Sequence, residues 1–72
     1  MTQPTPPHVQ RMIEEYKEHN IRLTNLDNFI ETNPMFDVIE EAKRELLLKQ
    51  RDNMREFTTI LGERLKLEGV TV

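Results

Sequence analysis

Two apolar stripes with the three-and-four spacing of a helix, separated by the one proline outside the N-terminal segment, constrain this chain more than any other feature. The first runs through Val9, Met12, Ile13, Tyr16, Leu23, Leu26 and Ile30, and the second through Ile39, Ala42, Leu46, Met54, Phe57, Ile60 and Leu61. Thr32-Asn33-Pro34 must break the rod between them, because a residue before proline is pushed out of the α region and proline cannot continue the hydrogen-bond ladder. The expected fold is therefore all-α, an antiparallel two-helix hairpin with helices over about 6–31 and 38–68 and a turn at 32–37. Thr5 and Pro6 fit the N-cap and N1 positions of the first helix, Asp37 and Glu40 have capping-box spacing at the start of the second, and Gly69 suits its left-handed C′ position. Residues 1–7 hold three of the four prolines. They are expected to form a flexible arm ahead of a hairpin domain at 8–69.

Each stripe has a polar notch, His19 with Asn20 in the first and Gln50 with Asn53 in the second. Counting outward from the turn sets Leu23 against Gln50, Asn20 against Asn53, Tyr16 against Phe57 and Met12 against Leu61. The notches would then face one another, either as a buried polar layer that fixes register and oligomer state or as a pocket that holds a small polar ligand. Met35 and Phe36 are expected to plug the turn end of the hairpin. Ile21, Phe29 and Leu48 lie far round from the stripes, where exposed apolar surface marks an oligomer contact. Gly62, inside the second helix, costs about 1 kcal/mol relative to alanine; close approach of another chain or loose final turns would account for it.

A chain of 72 residues buries too small a fraction of its surface to be comfortably stable alone. Cysteine is absent and His8 and His19 have no clustered partners, so neither a disulfide nor a metal is expected to staple it. Self-association is the remaining common remedy, and a homo-oligomer of hairpins is expected, at least a dimer.

Ten basic and thirteen acidic side chains give net charge −3, and a mean hydropathy of −0.67 describes a well-solvated surface. No run reaches the ~20 apolar residues of a membrane span, and Met1 to Pro7 lacks the regions of a signal peptide. A cytoplasmic protein without membrane contact is expected. Serine and cysteine are both missing, the only glycines are Gly62 and Gly69, and the Glu14-Glu15 and Glu40-Glu41 pairs are adjacent rather than facing. Neither catalysis nor a cofactor is expected.

Charge is uneven along the chain. Residues 1–42 sum to −5, residues 43–55 to +3 and residues 56–72 to −1. Glu40 with Arg44 and Glu45 with Lys49 are ordinary helix pairs, whereas Arg51 and Arg55 are like charges four apart, and guanidinium groups suit phosphate. The candidate ligand-binding residues are Arg51, Arg55 and Arg44, with Tyr16 as a stacking ring and Asn20 as an amide, while Lys66 lies outside the basic segment. An acidic chain with one short basic stretch offers too few contacts for duplex nucleic acid. A small phosphorylated molecule needs only two or three.

The order His8-x-x-Arg11, Glu14-Glu15, Leu26-x-x-Phe29-Ile30, Phe36 and Glu45-Leu46-Leu47-x-x-Gln50-x-x-x-Met54-x-x-Phe57-x-x-Ile60-Leu61-x-x-Arg64 resembles a family of short phage and prophage proteins named after a crAss-like phage member. The resemblance implies a phage setting, in an infected bacterial cell, over about residues 8–67. In architecture the chain also looks like the helical hairpins with which phages sequester the cyclic nucleotide signals of the CBASS and Thoeris immune systems. That likeness implies a non-enzymatic counter-defence protein that sequesters a nucleotide-type immune signal. The alternative is an inhibitor or adaptor that docks the acidic face of the first helix, Glu14, Glu15 and Glu18, on a basic surface of a host defence protein.

Overall fold

A computed structural model of the chain describes residues 5–71, and every element among them is helical: α1 (Pro7–Thr32), α2 (Met35–Val38) and α3 (Glu41–Leu67). The two long helices lie antiparallel in a rod of 55 × 16 × 16 Å. The expected hairpin is thus present, with its boundaries moved by local backbone chemistry.

α1 starts one residue later than the sequence predicts. Pro6 occupies the N-cap position at φ −56°, ψ 145°, and its carbonyl accepts from the amides of Val9 and Gln10 at 3.0 Å each. No side chain caps the helix, so Thr5 has no such role. Pro7 is already helical, which shortens the expected arm; residues 1–4 lie outside the described residues.

The turn carries an element that the spacing does not show. Asn33 is extended, as its place before Pro34 requires, and its side-chain Oδ1 accepts from the Met35 amide at 2.9 Å. This Asx turn starts the single helical turn of α2. Asp37 is enclosed in that turn, so the capping box with Glu40 does not form. Ile39 and Glu40 are extended, and α3 begins at Glu41, where the Glu40 carbonyl accepts from Lys43 and Arg44 at 3.0 Å. Phe36 stands edge-on to Phe29, ring centres 6.2 Å apart, and covers the turn end, whereas Met35 is exposed. Phe29 and Leu48 are half-buried at this end rather than free for another chain, and Ile21 alone of the three outlying residues is exposed.

The longer connection shifts the register. Asp27 lies opposite Arg55, Glu31 opposite Arg51 and His19 against Phe57, so residues of α1 meet α3 about one to two and a half turns nearer its C-terminus than counting from a short turn implies. The expected polar layer is therefore not formed inside the chain: Asn20, Gln50 and Asn53 are all exposed. The buried residues are Val9 and Leu23 of α1 with Thr58, Leu61, Gly62 and Leu65 of α3. Thr58 satisfies its hydroxyl by donating to the Met54 carbonyl at 2.7 Å.

On α3 the inward line passes through Leu47, Arg51, Met54, Thr58, Leu61 and Leu65, so the expected stripe is rotated. Leu46, Phe57 and Ile60 are 64%, 43% and 49% exposed, and Ala42 is exposed too. Beyond Leu67 the backbone closes in a Schellman motif: the Val70 amide reaches the Leu65 carbonyl at 2.9 Å, the Gly69 amide reaches that of Lys66 at 3.0 Å, and Gly69 takes φ 83°. This firm stop leaves packing, rather than loose final turns, as the setting of the buried Gly62. Among the described residues, no helix is long and apolar enough to cross a membrane.

Candidate functional site

Thr58 faces α1, and its neighbours Phe57 and Thr59 project about 100° to either side of it. On the Thr59 side the two long helices border a groove of about 350 Å³. Tyr16, Asn20 and Leu23 of α1 form one wall, and Arg55, Thr58, Thr59 and Gly62 of α3 form the other, with Glu63 and Lys66 at the far end. Three of the five residues singled out in the sequence, Tyr16, Asn20 and Arg55, are brought together here. The helical period explains why: Tyr16, Asn20 and Leu23 recur at four and three, as do Arg55, Thr58, Thr59 and Gly62.

Arg51 and Arg44 stand elsewhere. Arg51 points into the helix pair, 18% exposed, where Nη1 donates to Glu31 at 2.9 Å and lies 3.5 Å from Asp27. Its Nε is buried without a hydrogen-bond partner among the described residues. An arginine held so closely serves the contact between helices. Arg44 lines a separate recess near the turn with Phe36, Glu41, Glu45 and Leu48, flanked by two carboxylates.

Arg55 is different again. A single nitrogen, Nη2, donates to both carboxylate oxygens of Asp27 at 3.0 Å. Its Nε and Nη1 donate to nothing else among the described residues, and the side chain is half exposed. Asp27 thus fixes the guanidinium at the groove edge while two nitrogens keep donors for an incoming acceptor.

Sequence reasoning missed four groups of this site. Lys66 was placed outside the basic patch, yet it lines the same groove, since eleven residues are close to three whole turns and return it to the face of Arg55. That spacing was available in the sequence. The hydroxyls of Thr58 and Thr59 and the carboxylate of Glu63 carried no motif. Their role depends on the register, which the extra turn of α2 sets.

The groove combines two cations, two hydroxyls, an amide, a phenol ring and one carboxylate. Such a set can hold an anionic molecule that also carries hydroxyl or amine donors. No group of three or more histidine, cysteine or carboxylate side chains among the described residues is arranged to bind a metal.

A family model described as Sequestin matches residues 6–67, covering both long helices and the turn between them. No curated protein and no solved structure matches the chain.

Proposed function

The chain belongs to the Sequestin family, and from that premise we propose that it binds and retains a nucleotide-type signal in the groove between α1 and α3, without turning it over. The family name speaks of sequestration, which is a binding role. The observation that carries the nucleotide reading is the meeting of Tyr16, Asn20, Arg55 and Lys66 in one groove of about 350 Å³, within the size range of small-molecule sites. Arg55 and Lys66 supply charge for phosphate. Tyr16 offers a ring face to a base, and Asn20 with the exposed Thr59 hydroxyl offers both donors and acceptors to a sugar or base edge, while the Thr58 hydroxyl already donates to Met54. Glu63 disfavours a bare polyphosphate and accepts from hydroxyl or amine groups, so a nucleoside-bearing ligand fits better than an inorganic anion. The phage setting implied by the sequence resemblance makes an immune signal in the cytoplasm of an infected bacterial cell the ligand class to test first.

Calorimetry against cyclic dinucleotides, cyclic trinucleotides and cyclic ADP-ribose isomers tests this. Arg55→Ala should lose about 1.5–3 kcal/mol of binding, the worth of a charge-assisted hydrogen bond, while helicity is unchanged. Lys66→Ala should weaken binding less, because lysine presents a point charge without a planar set of donors. If the wild-type protein binds none of these molecules and instead captures a single host protein through the exposed Glu14, Glu15 and Glu18 of α1, the inhibitor reading replaces this one.

A further inference from the structure

The flank of α3 opposite the groove is apolar, long and uncovered. Leu46, Asn53, Ile60 and Leu67 recur every seven residues, with Gln50, Phe57 and Arg64 between them, which is the alternating four-and-three spacing of a coiled-coil seam. Leu46, Phe57, Ile60 and Leu67 all stand among the exposed large apolar residues. α3 therefore carries two seams. One, through Met54, Thr58, Leu61 and Leu65, packs on α1; the other, through Phe57 and about 100° away, meets α1 only where His19 lies against the Phe57 ring, centres 4.6 Å apart, and its Leu46, Ile60 and Leu67 stay exposed.

The chain exposes 5779 Å². A compact monomer of 8.6 kDa exposes about 4700 Å². The excess, roughly 1000 Å², is what the 55 × 16 × 16 Å rod exposes over a compact shape, and it leaves room for the ~800 Å² that each partner contributes to a standard protein interface. We propose that the second seam is the contact surface for a second copy of this chain, with the two α3 helices antiparallel.

Charge chooses the direction. In the antiparallel register that sets Leu46 against the partner's Phe57, residues 43–47 (+1) of each α3 lie along residues 56–60 (−1) of the other, whereas an in-register parallel pair lays the whole +3 of residues 43–55 along its like. Side-chain chemistry chooses the register. With Leu46 against the partner's Phe57, Gln50 comes level with the partner's Asn53, and the two-fold axis repeats both contacts. Amide then meets amide at the centre, and an apolar pair closes each side. Lys43 comes level with the partner's Ile60, one turn from both the partner's Glu56 and the partner's Glu63. The polar residues in the middle of the α3 stripe thus gain partners from a second copy that they lack inside one chain, and they fix the register as buried amides do in coiled coils.

The absence of cysteine makes the test direct. Leu46→Cys and Phe57→Cys chains, mixed and then oxidised, should form the mixed disulfide, and neither alone should dimerise covalently. In the proposed register two copies of position 46 are eleven residues apart along the helix, roughly 16 Å, beyond the reach of a disulfide. Same-site disulfides would show a parallel pair and overturn the proposal. In sedimentation, wild-type protein at micromolar concentration should be dimeric or larger, and Leu46→Lys with Ile60→Lys should raise the dimer dissociation constant at least about a hundredfold. Helicity should persist, since both residues are exposed in the single chain. A monomeric wild type, or a double variant that associates as before, overturns the proposal.

Discussion

From Thr58 to Leu65, α3 meets α1 through buried side chains, whereas from Glu41 to Phe57 it has no buried residue and its bonds to α1 are ionic. The first region excludes water from Leu61 and Leu65 and ends on a closed Schellman motif. The second is held by Arg51 and Arg55 against Asp27 and Glu31, with Phe36 folded over Phe29 at the turn. Apolar burial contributes far more per contact than partly exposed ion pairs do. Stability therefore resides toward the chain ends and register toward the turn, and the groove begins where the two regions meet, at Arg55 and Thr58. A groove at such a boundary has one wall anchored by the core and an edge set by the Asp27–Arg55 ion pair.

The largest expected effect comes from the packed region. Leu65 is fully buried, so Leu65→Ala should cost about 2–5 kcal/mol, a severe loss for a chain of this size. Leu48→Ala, at a half-buried position near the turn, should cost less than about half as much. Urea midpoints of the two variants measure the contrast; equal losses would mean that the two regions are packed alike.

A smaller effect should come from the ionic region. Arg51→Met keeps an unbranched side chain packed between the helices but removes the charge, and Asp27 still has Arg55. The expected cost is about 0.5–1 kcal/mol, reduced because Glu31 is largely exposed to solvent. Amide exchange should accelerate toward the turn and stay slow at 58–65. Raising salt should act on the wild type in the same direction. If exchange accelerates evenly along both helices, the rod opens as one unit and the contrast is lost.

The same contrast explains what was legible in the sequence. Both long helices could be read from their stripes, and the break at Asn33-Pro34 and the stop at Gly69 from backbone chemistry that acts within a few residues. The register could not, because it depends on the length of the connection, and the Asn33 side chain adds one helical turn there. Nor could the inward face of α3, since a helix with two seams satisfies the spacing rule twice; the exposed Leu46, Phe57 and Ile60 fit it as well as the buried Leu61. The site was legible in part. Tyr16, Asn20 and Arg55 meet, while Arg51 is engaged by Asp27 and Glu31 across the helix pair, which no local pattern could place beside it, and Arg44 lines a separate recess near the turn.

The smallest expected effect tests how the two regions meet at the groove. Asp27 occupies one nitrogen of Arg55 with both of its oxygens and adds a negative charge at the groove edge. It therefore both orients the guanidinium and competes with any anion that approaches. Asp27→Asn separates these roles, because the amide oxygen still accepts from Nη2 while the charge is removed. On the proposed function, binding of a phosphorylated nucleotide should tighten by about two- to fivefold, the worth of one partly exposed charge interaction. Asp27→Ala removes the acceptor as well and should gain less or lose affinity, since Arg55 is then free to leave the groove. Titration calorimetry of the three proteins at one ionic strength measures the order. Weaker binding by Asp27→Asn than by the wild type would mean that the charge of Asp27, and not only its hydrogen bonds, is needed to hold Arg55 in place.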